Sequence, residues 1–155
     1  MSTDPKNLPL IGKVSRIFLL FGMAVEATYI FAEAIGGYYS SSYNYFYNTA
    51  SELMAIGSDD RLLFAPFYFF HSVMIGLFGY GLVVRFQDTR YHLLSGGGLL
   101  LVNVGICYAL ACTIFPMDPP KTPYSLSGYM HIATVSTGVL SLCIAIPVIG
   151  KGMSQ

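Results

Sequence analysis

Four long apolar segments, separated by short polar connections, constrain this sequence more than any other feature. They cover about residues 14–36, 62–84, 91–115 and 127–150. Each would measure about 33–38 Å as an α-helix, enough to cross a hydrocarbon layer of about 30 Å. Because lipid offers the backbone no hydrogen bonds, segments that cross it are expected to be helical.

The composition agrees with a chain that lies mostly in lipid. Charged residues make up 10% of it, against about 25% in an ordinary soluble domain. The net charge is zero and no basic patch stands out, which argues against a nucleic-acid partner. The sequence therefore predicts an all-α integral membrane protein, a single transmembrane domain over residues 1–155 with four transmembrane helices in an up-down bundle. Its surrounding partner is the lipid bilayer.

The basic residues are unevenly divided between the two sides of this predicted topology. Two lie on one side, Arg61 and Lys121. Six lie on the other: Lys6, Lys13, Arg16, Arg85, Arg90 and Lys151. Because Lys and Arg are enriched in cytoplasmic segments, this division predicts cytoplasmic N- and C-termini, with outer loops at 37–61 and 116–126.

Ionisable residues inside the apolar segments are the main functional signal, because each costs free energy unless it faces protein or water. On the predicted topology Glu26 lies near the midplane. Glu33, His71 and His131 lie in the outer half of the membrane, and Glu52 and Asp118 lie in the loops above them. Together they predict a polar cavity open to the outer side. For each one taken singly, a hydrogen bond between helices is the alternative interpretation.

The second outer loop places two of these residues in a rigid setting. Four prolines end the third segment and stiffen the turn that contains Asp118, while His131 follows about one helical turn into the fourth segment. We therefore predict Asp118 and His131 as the catalytic or reactive pair. The predicted binding neighbours are Glu52, His71, Glu33 and Glu26.

A metal ion is one way to use this cluster. His and carboxylate ligands suit zinc or another divalent cation, and the candidate ligand set is Asp118, His71 and His131. No closely spaced pair of histidines supports it. Haem is disfavoured, because His71 and His131 would differ in depth by roughly 4–8 Å.

Two stretches resemble the bacterial and archaeal membrane family called domain of unknown function 998. The triplet Ser51-Glu52-Leu53 precedes a long apolar helix, as in that family, and we expect Ser51 to cap a short interfacial helical turn. The loop Phe115-Pro116-x-Asp118, followed by His131, is similar to the family's Phe-Pro-x-Asp loop. The resemblance covers about residues 15–150.

The resemblance implies a helical membrane fold, a shared motif on the outer side and a prokaryotic cytoplasmic (inner) membrane. It implies no activity. The family usually has about six helices, and this sequence predicts four.

Three functions remain open at this point. The first is a membrane-embedded enzyme or ligand-binding protein for a lipid-type molecule, acting by metal-assisted or acid/base chemistry in the outward cavity. The second is a non-enzymatic accessory or structural subunit, with other membrane subunits or a second copy as partners. The third is a small transporter or channel formed by oligomerisation.

Overall fold

The computed structural model describes residues 8–40, 43–44 and 46–154. It contains five α-helices: α1 (Leu8–Tyr39), α2 (Ala50–Leu53), α3 (Arg61–Arg85), α4 (His92–Thr113) and α5 (Leu126–Met153). All except α2 are long and apolar enough to cross a membrane. The predicted all-α membrane fold with four spanning helices is therefore confirmed.

The observed helix bounds differ most from the sequence-based ones at α1. That helix begins at Leu8 instead of residue 14, and α5 continues to Met153 instead of residue 150. The orientation of the termini stays a prediction, and Lys6, which contributes to it, lies outside the described residues.

The connection between α3 and α4 is short, which makes these two helices antiparallel. The α3–α4 connection contains a single 3₁₀ turn, Thr89–Tyr91, beside an exposed ion pair between Arg90 and Asp88 at 3.0 Å. We call the end of the bundle that carries the α3–α4 connection the short-connection end. We call the opposite end, which carries α2, the long-loop end.

The α3 and α4 backbones meet without intervening side chains. A Cβ atom added at Gly98 would lie 2.6 Å from the Gly79 carbonyl oxygen, and one added at Gly105 would lie 2.6 Å from the Ser72 carbonyl oxygen. Small residues permit such an approach between helices in lipid. The α3–α4 pair is therefore the tightly packed centre of the bundle.

The bundle is open on one side. Extensive packing joins α1 to α3, α3 to α4 and α4 to α5, whereas α1 and α5 make at most marginal contact within the described residues. The consequence is a groove whose walls are α1 and α5 and whose floor is α3 and α4. We call it the α1/α5 groove.

Candidate functional site

A cavity of about 280 Å³ lies below the long-loop end of the bundle. Residues of α2 and the preceding Thr49 form its upper edge. Its deeper polar lining comes from α1, α3, α4 and α5: Tyr29, Tyr68, His71, Ser72, Tyr108, Cys112 and His131. We call it the histidine cavity, because both histidines predicted for the site line it.

His71 is held by the backbone of α1. Its side chain is buried, and Nδ1 lies 3.1 Å from the carbonyl oxygen of Val25. A carbonyl oxygen only accepts hydrogen bonds, so Nδ1 must carry the proton and donate it. In the neutral ring the lone pair is then on Nε2.

His131 is held in the same way at the other side of the cavity. Its side chain is also buried, and Nδ1 lies 2.8 Å from the carbonyl oxygen of Phe115, which follows the end of α4. In the neutral ring the proton is again on Nδ1 and the lone pair on Nε2. The bond also ties the first turns of α5 to the end of α4.

Asp118 stabilises the start of α5. One carboxylate oxygen accepts the backbone N–H of Ser125 at 2.6 Å, and the other accepts the Ser125 hydroxyl at 2.8 Å. The Ser125 hydroxyl oxygen in turn accepts the N–H of Gly128 at 3.2 Å, which caps α5. Within the described residues Asp118 makes no hydrogen bond to His131, so the structure does not join the predicted reactive pair directly.

This geometry predicts a stability defect for Asp118→Asn. The substitution places an amide N–H₂ group against one of two donors and removes the charge, so we expect the free energy of unfolding to fall by about 1–3 kcal/mol. Thermal unfolding in detergent, followed by tyrosine fluorescence, measures it. Asp59→Asn, at an exposed loop position, is the matched control. Equal unfolding of the two variants would contradict the capping role.

The predicted metal ligands are not assembled. Within the described residues no group of three or more His, Cys, Asp or Glu side chains is placed to hold a metal ion. The physical reason is that both oxygens of Asp118 face Ser125, while His71 and His131 are anchored to different backbone carbonyls.

Glu33 is bound by two phenols instead of opening into the cavity. Tyr68 of α3 donates to one carboxylate oxygen at 2.6 Å, and Tyr43 of the α1–α2 connection donates to the other. Burial, followed by the hydrogen bond to Glu33, raises the pKa of Tyr43 above its ordinary value, so this phenol stays a donor in neutral solution. Glu33 therefore links three segments.

Glu52 belongs to a helix cap. Its carboxylate accepts the backbone N–H of Thr49 at 2.9 Å and the side-chain N–H of Asn48 at 2.7 Å. The N-cap of α2 is Thr49, so the expectation that Ser51 caps this turn was wrong. The carboxylate faces a separate surface pocket, not the histidine cavity.

Glu26 lies in the α1/α5 groove, which has a volume of about 670 Å³. Its side chain is exposed, and no hydrogen bond joins it to another described residue. The groove lining is otherwise mostly aliphatic and aromatic and continues to Met153. Tyr29, His71 and Tyr108 line both the groove and the histidine cavity, so the two spaces adjoin.

Sequence reasoning missed the tyrosines. Tyr29 lies four residues before Glu33 and three after Glu26, a spacing that places all three near one helix face and could have identified it. Tyr108 carried no comparable signal, because it stands alone in an apolar segment. Tyr108 lines both spaces because α4 forms part of the groove floor between α1 and α5.

Four spanning helices and a cavity within the bundle define a polytopic α-helical membrane protein. The sequence profile of the family described as "Protein of unknown function (DUF998)" matches residues 23–155, and the chain belongs to that family. Comparisons with curated proteins and with solved structures give no match.

Proposed function

We propose that this protein binds an amphiphilic molecule taken from the bilayer. The ligand's chain would lie in the α1/α5 groove and its polar end in the histidine cavity. Under the predicted orientation the polar end would face the outer half of a prokaryotic cytoplasmic membrane.

One observation supports this proposal most: the apolar α1/α5 groove adjoins the histidine cavity, which contains polar side chains. The groove is lined mainly by apolar residues such as Ile75, Phe78 and Ile146, whereas the histidine cavity adds two imidazoles and several hydroxyls. A molecule with an apolar chain and a compact polar end matches that order. Apolar pockets with a few well-placed polar groups are typical of ligand sites.

The open side of the bundle supports entry from lipid. Because α1 and α5 do not pack against each other along their lengths, a chain could enter sideways without passing through water. The exposed Glu26 supports the same view, since an acidic residue at this depth is favoured only where a polar partner or water reaches it.

A groove-filling variant tests the proposal. Ile146→Trp would place an indole in the groove, whereas Ile144→Trp adds the same group to an exposed position of α5 that lines neither space. We expect the wild-type chain to retain a bound amphiphile on gentle extraction, Ile146→Trp to lose about tenfold in occupancy, and Ile144→Trp to keep it. Native mass spectrometry of the detergent-purified protein measures the bound mass.

The contrary outcomes are specific. A wild-type chain that carries no bound amphiphile, or equal occupancy in the two tryptophan variants, would overturn the proposal. A co-purifying polypeptide displaced by Ile146→Trp would favour the accessory-subunit function, in which a partner helix covers the open groove.

A further inference from the structure

We infer that the histidine cavity selects a neutral ligand that donates hydrogen bonds, such as the hydroxyl groups of a monoacylglycerol or another long-chain alcohol. This inference names the ligand class and rests on the proposed binding function. Its experiment distinguishes a wrong ligand class from an absence of ligand binding in the groove.

The first step is the state of the two imidazoles. His71 and His131 are at least nine-tenths buried, and each uses Nδ1 as a donor to a backbone carbonyl. In the neutral ring each Nε2 therefore carries a lone pair, and neither Nε2 has a hydrogen-bond partner within the described residues.

The second step is access. No fully buried side-chain nitrogen or oxygen in the described part of the chain lacks a partner. Both Nε2 atoms must then be reachable from open space. Both rings line the histidine cavity, and the His71 ring also lines the adjoining α1/α5 groove. An acceptor in either space is satisfied by a ligand that brings an O–H or N–H group.

The third step is the complementary set of hydroxyls. Tyr29 and Tyr108 line the cavity beside the histidines, and neither hydroxyl has a hydrogen-bond partner within the described residues. A ligand hydroxyl can donate to Nε2 and accept from a phenol, which a purely accepting ether or ester cannot do.

The fourth step is charge. Within the described residues neither the cavity nor the α1/α5 groove is lined by Lys or Arg, and the groove contains Glu26. A phosphate headgroup would enter without a counter-charge, at a high desolvation cost. The cavity therefore disfavours anionic lipids.

Three probes with the same oleoyl chain test the class: monooleoylglycerol, its dimethyl ether and oleoyl lysophosphatidic acid. Each is titrated into the detergent-solubilised full chain and binding is read by native mass spectrometry. We expect monooleoylglycerol to bind about tenfold or more tightly than its dimethyl ether, since an unpaired buried acceptor weakens binding by about this factor. Oleoyl lysophosphatidic acid keeps a hydroxyl group, and we expect it to bind more weakly than monooleoylglycerol because its phosphate would be desolvated without a counter-charge. Ile146→Trp should weaken all three probes alike.

His131→Asn tests whether Nε2 of His131 accepts a hydrogen bond from the ligand. Its side-chain amide N–H is attached at Cγ, as Nδ1 is, so the bond to Phe115 can persist while Nε2 is deleted. We expect the preference for monooleoylglycerol over its dimethyl ether to fall, because one of the two ring acceptors is lost. His71→Asn should act similarly through Val25.

A measurement on the wild-type chain does not depend on either variant folding. With ¹⁵N-labelled histidine, two rings should show a protonated Nδ1 and an unprotonated Nε2, and monooleoylglycerol should shift the Nε2 resonances while the ether does not. Protonated Nε2 atoms in the free protein would overturn the inference. Equal binding of the glycerol and its ether, or tighter binding of lysophosphatidic acid, would overturn it and leave the groove intact. No binding of any probe would overturn both proposals.

Discussion

Gly98→Ala is expected to lower the free energy of unfolding by about 2–3 kcal/mol, because it inserts a methyl group between two helix backbones. The new Cβ atom would lie 2.6 Å from the Gly79 carbonyl oxygen and 2.9 Å from the Leu82 Cβ atom. A flexible side chain could rotate away from such a contact, but a backbone carbonyl cannot. The α3 and α4 helices would have to separate, and packing between helices is a main source of stability in lipid.

Gly96→Ala is the matched control, two residues earlier in the same helix. A Cβ atom at Gly96 meets nothing within 4 Å, so the substitution fills open space. It also raises helix propensity, which stabilises a helix by about 0.5–1 kcal/mol. Thermal unfolding of both variants in one detergent measures the difference. An equal effect at Gly96 and Gly98 would show that α3 and α4 are not in backbone contact.

The helices could be predicted from sequence because length and apolarity alone identify a membrane span. Within the glycine-rich run before Leu99, Gly97 and Gly98 meet neighbouring helices closely, whereas Gly96 faces open space. What sequence could not supply was the partner of each polar group. Both histidines bind backbone carbonyls, and any residue type provides a carbonyl, so no sequence pattern identifies Val25 or Phe115 as the acceptor.

The acidic residues also have hydrogen-bond partners that the sequence could not identify. The sequence predicts Asp118 as a reactive residue together with His131, and that role stays a prediction. The structure adds that its carboxylate accepts hydrogen bonds from Ser125, a contact that depends on the three-dimensional course of the loop. Glu26 and Glu33 share a helix face. Of these two acids, only Glu33 accepts hydrogen bonds from phenols, those of Tyr43 and Tyr68.

Glu33→Gln is expected to lower the free energy of unfolding by about 1–3 kcal/mol. The carboxylate accepts from Tyr43 and Tyr68 at once, and hydrogen bonds to a charged acceptor are stronger than those between neutral groups. An amide offers only one accepting oxygen, so one phenol must lose its acceptor or turn to accept from the N–H₂ group. The bonds lost join α1 to α3 and to the connection that leads to α2.

Glu26→Gln provides the comparison on the same helix. Glu26 is exposed and has no hydrogen-bond partner within the described residues, so its replacement breaks no internal bond. It also removes a charge from a membrane-spanning segment, which lowers a desolvation cost. We therefore expect an unchanged or higher unfolding temperature for Glu26→Gln and a lower one for Glu33→Gln in the same detergent. A reversed order would mean that Glu26, and not Glu33, is the acid that holds the bundle together.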